Sequence, residues 1–162
     1  MNRVSSQPLR IAAIAALMFA FITATSAQTK APAAGKSAPA KTADAADPDV
    51  ALAKKAALEW LALVDAGKFE GSWDEAATSL QKGQKKTDWS TGLGGSRATM
   101  GKVVTRTFLN SEIRTALPNL PPDKYITVRF TTAFEKHKDG AESVTLVKDG
   151  TRGLRTMSYF LK

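Results

Sequence analysis

The hydrophobic period of this chain changes once, near Lys102. Before that point apolar residues recur at helical spacing, and after it they alternate. Val50, Ala53, Ala57, Trp60, Leu61 and Val64 form one stripe of a helix. Asp47 is placed to cap it, Pro48 suits its first turn and Gly67 its close. A second helix is predicted from Phe69 to Leu80, with Phe69, Trp73, Ala76 and Ala77 on one face. A third segment opens at Thr87 or Asp88 and carries Trp89 and Leu93. Gly92, Gly94 and Gly95 crowd it, and each glycine costs a helix about 1 kcal/mol relative to alanine. A helix break or turn is therefore expected there.

Beyond Lys102, Val103 to Leu109 is rich in β-branched residues and predicts a strand. Pro118, Pro121 and Pro122 predict a rigid loop. Tyr125 to Glu135 follows as a half-buried strand. Ile126, Val128, Phe130, Thr132 and Phe134 face one side, and Tyr125, Thr127, Arg129, Thr131 and Ala133 the other. Asp139-Gly140 and Asp149-Gly150 are hairpin signals bounding strands at Glu142 to Lys148 and Arg152 to Leu161. The expected fold is α+β: N-terminal helices packed on a curved antiparallel sheet of about four strands.

Three regions are expected along the chain. Residues 1–27 have the order of a secretory signal peptide: Arg3 and Arg10, an apolar run from Leu9 to Ile22, then small residues up to Ala27. The apolar run is shorter than the ~20 residues a membrane-spanning helix needs, so no stable anchor is expected after cleavage. Residues 28–46 are rich in Ala, Pro and Lys and hold no large apolar side chain, as in a flexible linker. Residues 47–162 make the single folded domain. The protein is expected in the periplasm or secreted.

Inventory excludes several chemistries. There is no cysteine, hence no disulfide, thiol nucleophile or thiolate metal site. The one histidine, His137, lies between Lys136 and Lys138 in an expected turn, a poor place for a general base or a metal ligand. No phosphate loop or dinucleotide fingerprint is present. No cofactor is called for. The formal charge is +8, but the basic residues are scattered and do not interleave with aromatics, so nucleic acid is not an expected partner.

The stretch AALEWLALVDAGKFEGSWDEAA, then GKVVTRTF, then a final strand ending MSYFLK, resembles a bacterial exported family known as domain of unknown function 4019. The resemblance covers about residues 50–162. It rests on Trp60, Asp65, Gly67 and Trp73, then Trp89, Arg97, Gly101 and Arg106. It implies an architecture similar to nuclear-transport-factor-2-like and cystatin-like domains, and no activity. The chain departs from the family pattern at Gly92-Leu93-Gly94-Gly95, where a continuous helix is expected in relatives, and at Leu154-Arg155, where relatives tend to carry tryptophan.

A curved sheet under a long helix can enclose an apolar cavity, and such cavities bind ligands. Trp60, Trp73, Trp89, Tyr125 and Tyr159 are candidates to line it, with Arg97, Arg106 or Arg129 to hold an anion. Trp60, Trp73, Trp89, Arg97, Arg106 and Tyr159 are the preferred set. The competing reading makes the tryptophans core and the arginines solvated surface. Glu59, Asp65 and Glu135 are candidate general bases for a cavity enzyme, none with a visible partner. The preferred function is a non-catalytic module binding a small ligand or serving an envelope protein. The alternative is an interaction module, with a homodimer through the sheet.

Overall fold

Helix α1 (Pro48–Asp65) buries the stripe that the periodicity marks: Val50, Ala53, Ala57, Trp60, Leu61 and Val64. The structure, a computed structural model, describes residues 41–43 and 47–162. The signal and most of the linker expected from the sequence lie outside the described residues. At the start of α1, Asp47 Oδ1 accepts a hydrogen bond from the Asp49 amide at 2.9 Å. At its end Gly67 has φ 71° and its amide donates to the Val64 carbonyl, while Lys68 reaches back to Leu63. This left-handed residue satisfies carbonyls that the helix leaves open.

The single second helix expected over 69–80 is two: α2 (Phe69–Asp74) and α3 (Thr78–Gly83). Tertiary hydrogen bonds account for the split. The Ala77 amide donates to the Thr156 carbonyl, and Asp149 Oδ2 accepts from both the amide and the hydroxyl of Thr78. The chain between the two helices is thereby tied to the sheet.

Helix α4 (Lys86–Met100) runs unbroken through the glycines, correcting the expected turn. Its buried residues Trp89, Leu93 and Arg97 fall four apart on one face. The reason lies partly at Gly94. A β-carbon there would lie 3.2 Å from the Phe69 ring, so its absence lets α4 approach α2 closely. Packing overrides the low helix propensity. Gly101, at φ 79°, ends the helix.

The sheet has the order β1-β2-β3-β4-β5, with every neighbouring pair antiparallel. Its four long strands are β2 (Val103–Arg114), β3 (Tyr125–Phe134), β4 (Gly140–Lys148) and β5 (Leu154–Leu161). A three-residue strand, β1 (Lys41–Ala43), adds to the β2 edge from within the stretch read as linker. The alternation expected in β3 is observed: Ile126, Val128, Phe130, Thr132 and Phe134 are buried. Strand β2 extends past the expected Leu109 and carries irregularities at Val104 and Leu109. At the β3–β4 turn, a β-carbon on Gly140 would lie 2.7 Å from the Thr132 carbonyl, so only glycine fits. The main core lies between α1, α2, α4 and one face of β3 and β4, around Trp60, Leu61, Val128, Phe130, Val144 and Leu146. The fold is α+β, helices first and sheet after.

Candidate functional site

Strand β4 places a carboxylate in phase with Val144 and Leu146, on the core face of the sheet. Glu142 is fully buried there. Its Oε1 accepts from Tyr159 Oη at 2.6 Å, Arg106 Nη2 at 3.1 Å and Arg97 Nη1 at 3.3 Å. Its Oε2 accepts from Arg106 Nε at 2.6 Å and Thr132 Oγ1 at 2.7 Å. A carboxylate offers about four lone-pair positions, so little acceptor capacity is left. Asp65, at the end of α1, accepts from Arg97 Nη2 at 2.7 Å and from Arg106 Nη1 and Nη2 at 2.7 and 3.0 Å. Two guanidinium groups thus face two carboxylates, drawn from α1, α4, β2 and β4.

Burial works against charge on Arg106, but its hydrogen bonds to Asp65 and Glu142 outweigh that and raise its pKa further. The Tyr159 phenol is also pushed up, first by burial and then by the negative Glu142 beside it. It stays protonated and donates. Arg97 stacks over the Phe134 ring, 5.0 Å from the centroid.

The aromatic residues close over this cluster. Trp60 lies 5.4 Å from Tyr159 and 6.1 Å from Trp89, ring centre to ring centre. Trp60 Nε1 donates to the Ser72 carbonyl at 2.8 Å and Trp89 Nε1 to Ser72 Oγ at 3.0 Å. Both indoles are buried with their polar atoms satisfied. Trp73 packs against the same core but is only partly buried: its Nε1 donates to the Gln84 carbonyl at 2.9 Å, with Lys86 over its ring.

Of the six preferred residues, the structure brings together Trp60, Trp89, Arg97, Arg106 and Tyr159, while Trp73 packs, partly buried, against the same hydrophobic core. The two arginines face carboxylates of the protein itself. Arg129, on the other sheet face, holds Glu112 at 2.6 Å. Tyr125 packs in a small second core with Ala77 and Val147. Among the candidate bases, Asp65 has the two arginine partners that the sequence did not reveal. Glu135 Oε2 accepts from the Lys102 amide, and Glu59 is exposed. Sequence reasoning missed Glu142. The signal was a charged residue in the apolar phase of a strand.

Open space lies on another side of α1. A groove of about 620 Å³ runs between α1 and the β3–β4–β5 end of the sheet. Leu52, Ala56, Ile126 and Leu154 give it apolar walls, and Lys124 and Lys148 stand among its polar residues. Leu52 is 60% exposed. A second recess of about 210 Å³ shares Ala56, Glu59 and Leu154 with the groove and is backed by Trp60 and Thr156. Among the described residues no group of three His, Asp or Glu side chains is placed to hold a metal ion, and no helix is long and apolar enough to cross a membrane.

Fold and cluster together define an α+β domain whose helices are clamped to an antiparallel sheet by a buried arginine–carboxylate network. A family model described as protein of unknown function (DUF4019) matches residues 56–159, and the chain belongs to that family. The match takes in Asp65, Arg97, Arg106, Glu142 and Tyr159. No curated protein and no solved structure matches the chain.

Proposed function

We propose that this chain is a bacterial envelope protein, periplasmic or secreted, whose domain binds a small ligand without transforming it and so acts as a binding or accessory module. We read its architecture as nuclear-transport-factor-2-like, with helices covering one face of the sheet. The observation that carries the reading is the groove along α1, whose volume and apolar walls at Leu52, Ala56, Ile126 and Leu154 suit a small molecule. The buried carboxylate argues for binding rather than catalysis. Glu142 is engaged by five donated hydrogen bonds, so a free general base is not what the core presents.

The test is a thermal-shift screen of residues 28–162 against envelope lipids, glycans and metabolites, followed by amide chemical-shift mapping of each hit. Ligands of the native state raise the unfolding midpoint. Expected perturbations centre on Leu52, Ala56 and Leu154. Hits that map only to other faces would sink the groove.

One observation favours a second reading, association through the sheet. β5 is an edge strand of the sheet, open to pairing with another chain, and it carries Phe160 at 62% exposed. Sedimentation at rising concentration separates the two: a dimer lost in Phe160→Ser supports association, and a monomer throughout leaves the groove.

A further inference from the structure

The two edges of the sheet are finished differently. On the β2 edge, β1 pairs with Ser111–Ile113, and irregularities at Val104 and Leu109 interrupt the rest of the strand. Such features blunt an edge against further pairing. On the β5 edge, the Thr156 carbonyl is taken by the Ala77 amide at 2.8 Å, which covers the start of the strand. Its last residues are left open. Lys162 and Ala141 exchange both backbone hydrogen bonds, at 2.8 and 3.1 Å. Bonded and non-bonded pairs alternate along an antiparallel ladder, so Leu161 and Tyr159, opposite Glu142 and Val144, turn their amides and carbonyls away from β4. No turn, cap or loop bond among the described residues uses those four groups.

A recess of about 290 Å³ lies along this open stretch, between α4 and β5. Gly92, Leu93 and Ser96 give its helix side, and Tyr159, Phe160 and Leu161 its strand side. Side chains of successive strand residues point to opposite faces, so a space touched by all three runs beside the backbone and not over one face. At Gly92 nothing stands within 4 Å of where a β-carbon would be, so the helix leaves this wall bare. Unpaired strand groups beside such a wall are the setting for an added extended chain.

Charge limits which chain fits. Lys82 and Lys85 flank Gln84, which also lines the recess, and Lys162 follows Leu161. All three lysines are exposed and have no ion-pair partner among the described residues, against one exposed acid on the first turn of α4, Asp88. A second copy would bring the same lysines, on a chain of formal charge +8, to the seam. A segment carrying carboxylates would meet complementary charge.

We propose that the open edge of β5 receives an extended segment of a partner protein, apolar at its centre and flanked by acidic residues, as a sixth strand lying between α4 and β5. The proposal is independent of the groove along α1. It assigns to a partner's strand the edge that the association reading gives to a second copy.

The probe is the peptide acetyl-Glu-Glu-Val-Thr-Val-Glu-Glu-amide, titrated into residues 28–162 at low ionic strength and followed by amide chemical shifts. A saturable change centred on Tyr159, Phe160 and Leu161 is expected. The same peptide N-methylated at its three central residues loses its backbone donors whichever edge faces β5, and should bind at least about tenfold more weakly. A peptide with glutamine in place of every glutamate should bind about fivefold more weakly, a difference that salt removes. Gly92→Leu should fold with a midpoint no lower than wild type, since leucine is the better helix former, and should abolish the saturable change by filling the recess. Equal affinity for the N-methylated peptide, or full binding to Gly92→Leu, overturns strand addition in this recess. Equal affinity for the glutamine peptide overturns the acidic partner. No saturable change at millimolar peptide overturns the proposal, and a dimer by sedimentation in that case, lost in Gly92→Leu, gives the edge to a second copy. None of these outcomes bears on ligands of the α1 groove, which shift Leu52 and Ala56.

Discussion

Glu142 is the residue on which most of the interior polar bonding converges. Its removal would leave Arg97 and Arg106 partly uncompensated in a buried setting, with Tyr159 and Thr132 losing an acceptor. Glu142→Ala should therefore destabilise the domain by about 3–5 kcal/mol, the usual cost of breaking a buried pair from one side. Urea unfolding followed by tryptophan fluorescence measures it, and a loss below about 1 kcal/mol would show that the cluster is dispensable. Trp60→Ala should cost about as much, 3–5 kcal/mol, through lost packing. Glu112 behaves differently because it titrates. Hydrogen bonding from Arg129 holds its carboxyl below the usual range, desolvation works the other way, and Arg114 adds to the depression. A carboxyl whose folded pKa is depressed contributes stability above its unfolded pKa, and that contribution is lost as pH falls through the folded value. The urea midpoint should thus fall on acidification through the carboxylate range, and Glu112→Gln should flatten part of that slope.

At the scale of elements, α4 is a helix whose sequence argues against it. Its three glycines are not equivalent. Gly92 and Gly95 have open space where a β-carbon would stand, whereas at Gly94 one would press on Phe69 at 3.2 Å. Gly95→Ala should stabilise the domain by up to about 1 kcal/mol, the propensity difference alone. Gly94→Ala should gain less or lose, since the Phe69 ring must give way. Calorimetric midpoints of the two variants give the comparison, and equal gains would show that the α2–α4 approach is looser than the structure has it. The split of the 69–80 segment has the same origin. Ala77 and Thr78 bond to β5 and to Asp149 across the fold, and no local pattern encodes those partners.

For the molecule as a whole, helices and sheet are joined by the hydrophobic core and by one charged cluster that touches α1, α4, β2, β4 and β5. Neither is expected to depend on a metal. Among the described residues no three acidic or histidine side chains gather. A chelator should leave the unfolding midpoint unchanged, and a drop of several degrees, or stoichiometric zinc by elemental analysis, would contradict this. The proposed export carries a further prediction: intact mass of the protein recovered from the envelope fraction of cells that make it should correspond to a chain starting at Gln28 or within a few residues of it.

Local information determined the α+β order, the α1 stripe with its Asp47 cap and Gly67 close, and the buried phase of β3. Each follows from periodicity or turn chemistry within a few residues, which the chain carries without reference to its fold. It also nominated Trp60, Trp89, Arg97, Arg106 and Tyr159, which converge in space, though not the carboxylate that gathers them. Glu142 was readable only as an anomaly, a charge in the apolar phase of β4, because its partners are between 10 and 45 residues away. Asp65 looked unpartnered for the same reason: its arginines are 32 and 41 residues distant. The continuity of α4, the break before α3 and the groove along α1 were decided by tertiary structure. A helix propensity of about 1 kcal/mol per glycine is small against close packing on Phe69, and a groove is the space left between elements, which no single segment encodes.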